Sequence, residues 1–435
     1  MKKFLAIVLA TCMVLALGVE AFAADGEDIT ITYNCLWAPE FVSPPQLARA
    51  AILEDYLAEH PNVKIVDNSV SDQDHQVKLN QWIAANDVPD LFMVQLNHAK
   101  KLVENDLIYT GDELFEMIPG WKEQFVEESF TDLTDNGKIL AVPYQYQAVN
   151  ILYCNKELFD KAGAKIPTNV DEFFEACELL KAAGITPFGF GNRGTGLLGD
   201  VFWNGIAVGY TGSEWYDGIL AARGTESAGK FADNPDFLEA LKFMEKMGTE
   251  EYVNQDTNAL EENDAYILFL QEKCAMTSFG GWFGEWLETQ DKDFCNKVVM
   301  TYPPTAGGSP ENTLTCGASW GWAVSKNVSE EKLAAIVELL YDYTARPYTD
   351  AALEQGFVRV PCTIPEDADM SNVPVLSQQT LKLTADAYKV YDSWGGRMAQ
   401  DLQTTFGECF QDLFVGSCTA EEACERIQET YDDTY

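Results

Sequence analysis

Hydrophobic and polar positions first alternate at Ile29-Thr30-Ile31-Thr32-Tyr33, the period-two pattern of a strand. The period then lengthens. Leu47, Ala50, Ala51, Leu53, Tyr56 and Leu57 recur at helical spacing and stop before His60-Pro61. Val63-Lys64-Ile65-Val66 reads as a short strand and residues 73–85 as a helix. Leu91-Phe92-Met93-Val94, entered through Val88-Pro89-Asp90, reads as an apolar strand. Strand, helix, strand, helix, strand predicts a mostly parallel sheet with helices on both faces.

A turn at Asp135-Asn136-Gly137-Lys138 precedes the apolar runs Ile139-Leu140-Ala141-Val142-Pro143 and Ala148-Val149-Asn150-Ile151-Leu152-Tyr153. A second α/β series follows: helix 170–183, strand 186–190, helices rich in Phe and Trp to about residue 290, and strand 297–302. Tyr302-Pro303-Pro304-Thr305-Ala306-Gly307-Gly308 reads as a linker, followed by strand 320–324 and helix 330–344. From about residue 375 the chain reads as helical and acidic. No internal repeat or low-complexity stretch interrupts this order.

The extreme N-terminus has a different pattern. Lys2 and Lys3 precede an apolar run from Phe4 to Leu17 and then Ala21-Phe22-Ala23, the three parts of an export signal cleaved after Ala23 or Ala24. The run is short for a membrane span and Thr11 and Cys12 interrupt it. Cys12 lies inside the apolar run, which favours a soluble exported protein over a lipoprotein. Removing residues 1–23 from 435 leaves 412, more than one core usually serves, so two lobes are expected.

Charge narrows the partners. Against 69 acidic residues stand 29 basic ones, a net −40, and removing Lys2, Lys3 and Glu20 (together +1) makes it −41. Such a surface repels phosphate backbones and anionic lipid, which disfavours nucleic-acid and membrane-surface roles. The eleven cysteines are too scattered for a small disulfide scaffold, although Cys409, Cys418 and Cys424 could hold one bridge in an oxidising compartment.

Catalytic motifs fail on context. Gly317-Ala318-Ser319-Trp320-Gly321 matches a nucleophile elbow, but its acid and histidine should follow it, and His60, His75 and His98 all precede it. Gly189-Phe190-Gly191-Asn192-Arg193-Gly194 matches a dinucleotide fingerprint, yet it lies mid-chain and reads better as a loop at a strand's carboxyl end, where α/β folds place ligands. Isolated histidines give no zinc spacing. Among so many acids a close carboxylate pair is always available, so glycoside hydrolysis stays open as a rival. The expectation is a non-enzyme without metal or cofactor.

Aromatics supply the positive signal. Trp82, Trp121 and Trp215 read as core, whereas Trp282 in Phe279-Gly280-Gly281-Trp282 and Trp394 in Ser393-Trp394-Gly395-Gly396 have glycine neighbours that let a ligand approach. A sugar presents apolar C–H faces and a rim of hydroxyls, so it suits flat rings beside fixed polar groups.

With these residues in view, the chain resembles the extracellular solute-binding proteins of family 1, the carbohydrate receptors of ABC importers. Residues 135–143 through Ile151-Leu152-Tyr153-Cys154-Asn155-Lys156-Glu157-Leu158-Phe159-Asp160-Lys161-Ala162-Gly163 are similar to the family's "dGk-x-x-x-vP … Y-Y-N-K-x-L-F-x-K-A-G". Ile166-Pro167-Thr168-Asn169-Val170-Asp171-Glu172-Phe173 resembles "P-x-T-W-x-E-F", and Pro89-Asp90-Leu91-Phe92 resembles "P-D-I-F". Cys154 and Val170 depart from the pattern. The resemblance implies a two-lobed α/β binding-protein fold with crossovers near 145–148, 302–306 and 345–348. One lobe would hold 24–146 and 304–346, the other 147–303 and 347–435.

The resemblance also implies a ligand cleft between the lobes. From the first lobe come Trp37 and Glu40, Gln95 and Asn97, with Tyr144 and Gln147 in the crossover. From the second come Asn192 or Arg193, Trp282 and Trp394, with Trp320 and Arg359 from loops near the cleft. The implied partners are a carbohydrate and a membrane permease, and the implied receptor is a monomer. A polyamine receptor, a sensory adaptor and a secreted carbohydrate-active enzyme are the rival readings.

Overall fold

The computed structural model describes residues 28–37, 43–193, 201–221, 229–391, 394 and 397–435. The expected export signal, residues 1–23, and Glu40 lie outside them. Among the described residues no helix is long and apolar enough to cross a membrane.

Two hydrophobic cores organise the chain. The first surrounds a six-stranded sheet in the order Val63–Asp67, Ile29–Asn34, Leu91–Val94, Gly321–Ser325, Ile108–Tyr109, with Val142–Pro143 also paired to Gly321–Ser325. Ile29–Asn34 runs parallel to both neighbours and Gly321–Ser325 enters antiparallel. All four residues of Leu91–Val94 are buried, as an apolar run covered on both faces should be. The second core contains a four-stranded sheet in the order Thr186–Phe188, Cys274–Phe279, Ile151–Asn155, Val298–Thr301. Only its first pair is parallel. A three-stranded sheet of Tyr388–Tyr391, Thr313–Gly317 and Gln147–Ala148 adjoins it. Tyr388–Tyr391 is a strand inside the tail expected to be helical.

The family-like segments have local structural roles. Asn136 (φ 50°) and Gly137 (φ 76°) are both left-handed, the tight turn that joins Thr134–Asp135 to Lys138–Ile139. Asn155 caps helix Lys156–Ala162 by accepting from Glu157 N and Leu158 N, and Gly163 (φ 68°) closes its other end. Cys154 is fully buried in Ile151–Asn155, where a small apolar side chain fits. Asp90 accepts from Thr32 N at 2.8 Å and Thr32 Oγ1 at 2.9 Å, and meets Lys332 Nζ at 3.1 Å. It therefore ties the first strand, the third strand and helix Glu330–Thr344 together.

Two crossovers fall later in the chain than expected. Leu314 and Cys316 belong to the second core and Ala318 and Trp320 to the first, so the second crossing lies at Gly317–Ala318 and not at 302–306. Thr313–Gly317 is the cause, because it pairs with Gln147–Ala148 on the second-core side. Helix Arg346–Glu354 packs on helix Pro44–Glu59 through Ala48, Tyr348 and Ala352. Val126 N donates to Pro361 O and Thr363 N donates to Gln124 O, so residues 347–364 stay beside the first core. Leu376 is the first later residue in the second core, which moves the third crossing from 345–348 to about 365–375.

Removing the Asp90 carboxylate strands a backbone N–H and a half-buried ammonium. Asp90→Ala should cost about 2–4 kcal/mol and Asp90→Asn about half of that. Urea denaturation followed by tryptophan fluorescence measures the difference, and an unchanged midpoint would refute the role assigned to Asp90.

Candidate functional site

Both cores meet at a buried polar column. Arg359 approaches from the first-core side and Glu285 from helix Gly281–Gln290 of the second. Arg359 Nε lies 3.0 Å from each Glu285 oxygen, and Nη2 lies 2.7 Å from Oε2. Arg359 Nη1 donates to Gln145 Oε1 at 2.5 Å and to Gln147 Oε1 at 3.0 Å, both in the first crossover. Exposure is 7% for Arg359, 4% for Glu285 and 5% for each glutamine, so the pair works out of solvent. Burial opposes the Arg359 charge, and Glu285 more than offsets it, raising the guanidinium above its ordinary value. Arg359 and Gln147, expected to touch ligand, are engaged with the protein itself.

Next to this column stands an aromatic group built on Arg49 of helix Pro44–Glu59. Arg49 Nη2 donates to Tyr144 Oη at 3.0 Å and Nη1 to Tyr348 Oη at 3.2 Å. Trp37 is half-buried, with its ring 5.1 Å from that of Tyr144. Tyr144 itself is 1% exposed, so its ring backs Trp37 more than it offers a surface.

The ends of neighbouring strands line up here. Gln95 starts helix Leu96–Glu104, and its side-chain amide makes no hydrogen bond among the described residues. Asn97 is half-buried and its Oδ1 accepts from His98 N at 2.8 Å. Trp320 is 7% exposed and packs 5.6 Å from the ring of His75. His75 Nδ1 lies 2.7 Å from Asn34 Oδ1 and Nε2 lies 2.8 Å from Met93 O. Burial pushes His75 down to about 4, against the pull of the Met93 carbonyl, so the ring is neutral at pH 7.

On the second-core side Trp282 is half-buried. Its indole folds over Gly280, where a β-carbon would come within 1.9 Å of the ring, and its Nε1 donates to Tyr266 Oη at 2.7 Å. Tyr153 Oη donates to Gly280 O and accepts from Gly284 N, which pins the turn. At the next residue, Gly281, a β-carbon would lie only 3.2 Å from Arg359 Cδ. Trp282, the ion pair, Tyr144 and Trp37 together make up the candidate array.

Other candidates fall away from that array. Trp394 is 0% exposed, stacks on Tyr216 at 4.5 Å, and donates its Nε1 to Tyr216 O, so it is a core residue and not a ligand platform. Rings from Trp203, Phe231, Phe237 and Phe406 surround it, which outweighs the glycines beside it in sequence. Asn192 is 4% exposed and donates to Asn258 Oδ1 at 3.0 Å. Arg193 is exposed, 3.6 Å from Glu261.

The catalytic look-alikes resolve into packing. A β-carbon at Gly191 would sit 2.2 Å from Glu261 O, so that glycine permits two backbones to cross; Gly194 lies outside the described residues. Ser319 (φ 59°) occupies the second crossing, its N–H donating to Asp132 Oδ2 at 3.1 Å. Cys409, Cys418 and Cys424 are free thiols, so the possible bridge among them is not formed. Among the described residues no group of three His, Cys, Asp or Glu side chains could hold a metal ion.

Sequence comparison gives the family. The profile of bacterial extracellular solute-binding proteins matches residues 38–344. The chain belongs to that family. An uncharacterised extracellular-binding protein of an ABC transporter from Pyrococcus horikoshii is 27% identical over 245 residues, 53% of this chain and 52% of the relative. A probable sugar-binding periplasmic protein from Brucella suis is 29% identical over 205 residues, 47% of this chain and 45% of the relative. The chain thus spans about half the length of the curated relatives it matches. A solved structure from a study of xylan utilisation by Caldanaerobius polysaccharolyticus superposes with a TM-score of 0.78 at 25% identity, covering 92% of this chain and 99% of the other. A chitin oligosaccharide binding protein gives 0.82 at 22% identity, covering 94% and 99%. The two-lobed solute-binding fold follows, and the matched family is one of binding proteins.

A second buried carboxylate on the same helix is pushed toward neutrality. Glu288, one turn beyond Glu285, is pushed up to about 7, first by burial and further by the like charge of Glu285. Leu376 N and Ser377 Oγ donate to it and pull the other way, because Glu288 caps helix Val375–Asp386. Tyr153 and Cys295 also face it, both neutral at pH 7. Unfolded, the group ionises near 4.5; folded, near 7. Between those values the native state keeps a proton that the unfolded chain has released, so stability falls as pH rises through the window. Glu288→Gln should lack this component, and its melting temperature should gain on the parent's between about pH 5 and about pH 8. A gap that stays constant with pH would count against it.

Proposed function

We propose that this protein is the extracytoplasmic receptor of an ABC importer, and that it captures a sugar or oligosaccharide between its two cores and delivers it to a membrane permease. The observation that carries this reading is the pair of half-buried tryptophans, Trp37 and Trp282, one packed on each core. Indole faces suit the C–H faces of a pyranose, and the free amide of Gln95 suits its hydroxyls. A solute that touches both cores binds the closed arrangement better than the open one, and that difference drives closure.

The N-terminal pattern of Lys2, Lys3, the apolar run and Ala21-Phe22-Ala23 supports export, as do the extracellular and periplasmic names of the relatives. The buried acids Glu285 and Glu288 do not support a hydrolase, since one is paired with Arg359 and the other caps a helix. The proposed site draws on residues of one chain, and we read the receptor as acting as a monomer.

A thermal-shift panel of mono- and oligosaccharides should find a ligand that raises the melting temperature by mass action. With that ligand, Trp282→Ala should lose about 2–4 kcal/mol of affinity in titration calorimetry, roughly 30- to 900-fold. Near-parental affinity would remove Trp282 from the site. Turnover of the sugar by the purified protein would overturn the receptor reading.

A further inference from the structure

Two arginines are buried around the first crossover, bonded to Tyr144 and to Gln145 and Gln147, and among the described residues only one has a counter-charge. Arg359 has Glu285 at 2.7 Å. Arg49, 4% exposed, has no carboxylate within ion-pair distance among the described residues. Its guanidinium carbon lies 4.7 Å from the Trp37 ring centre, 4.6 Å from that of Tyr144 and 5.4 Å from that of Tyr348. Tyr348, like Tyr33 nearby, is a buried phenol held well above its ordinary value, so neither supplies negative charge. Ring faces and phenol oxygens offset only part of the cost of a desolvated cation. Three residues earlier on the same helix, both amide atoms of Gln46 are buried without a hydrogen-bond partner. Positions three apart share a helix face, so Gln46 and Arg49 lie together. Arg49 Nε likewise donates to nothing among the described residues.

We propose that the captured carbohydrate bears an oxyanion, a uronate carboxylate or a phosphate ester, which supplies the counter-charge that Arg49 lacks and accepts from Gln46 beside it. This rests on the carbohydrate-receptor reading and narrows its substrate class. Arg49 touches Trp37 and Tyr144, so an anion reaching it belongs to a sugar stacked on the first-core wall. A protein of net charge −40 repels anions at long range, and a local cation is what makes an acidic sugar acceptable.

Titration calorimetry of the full chain lacking its export signal tests this with matched probes. The probes are neutral xylo-, malto- and chito-oligosaccharides, glucuronate-bearing xylo-oligosaccharides, oligogalacturonates and glucose 1-phosphate. An acidic probe should bind at least about tenfold tighter than its neutral counterpart. In Arg49→Met that preference should fall to about twofold or less, while Arg49→Lys keeps part of it. The preferred probe separates uronate from phosphate. Neutral probes binding as tightly as acidic ones would overturn this inference and leave the receptor reading standing. Binding of no carbohydrate at all would overturn both. Arg49→Met failing to fold would not shield the proposal, because the parent protein's preference decides it.

Discussion

The buried pair of Arg359 and Glu285 is the contact on which the rest of the site depends. It spans the two cores, and its guanidinium also collects the amides of Gln145 and Gln147 from the crossing between them. A charge pair out of water is favourable only when its geometry is good and its remaining donors are satisfied. Here three nitrogens are satisfied by two carboxylate oxygens and two amides, so the cost of desolvation is offset. The start of helix Gly281–Gln290, and with it Trp282, is positioned against that pair. A change in the angle between the cores must therefore move the tryptophan relative to Trp37.

The same helix shows how two carboxylates one turn apart acquire different duties. Glu285 meets a guanidinium and takes part in an ion pair, whereas Glu288 meets backbone and hydroxyl donors at the start of helix Val375–Asp386. The first holds the cores to each other, and the second fastens the segment that returns from the first core to the second. Chain return and core contact thus share one helix, which explains why the third crossing can be long without being loose.

Much of the fold is legible in sequence because its signals are local. The alternating strand at Ile29 and the all-apolar run at Leu91 need only neighbours to act, and both form where expected. Crossing points are less legible, because Thr313–Gly317 and residues 347–364 choose their side through partners far away in the chain. Trp394 shows the same limit. Its flanking glycines suggest an open face, but rings contributed from residues 203 to 406 enclose it. Trp282 also has Gly-Gly beside it, and there Gly280 makes room for the indole directly.

Helix Pro44–Glu59 departs, in its first half, from the burial that its pattern predicts, although Tyr56 is buried and Leu53 and Leu57 pack on the first core as expected. Its apolar positions put Leu47 and Ala50 on the buried face, yet Leu47 is 46% exposed, and Arg49 is buried instead. Propensity and periodicity assume that a helix turns its greasiest face inward. A guanidinium overrides that preference only where something offsets its desolvation, and here Tyr144, Tyr348 and Trp37 offset part of it. Tyr348 and Tyr144 arrive from residues about 300 and 95 positions later in the chain. No window around Arg49 could reveal them, which is why the sequence-based site does not include it. The departure from amphipathic order is itself the signal, since such exceptions concentrate where a protein keeps polar groups ready for something outside itself.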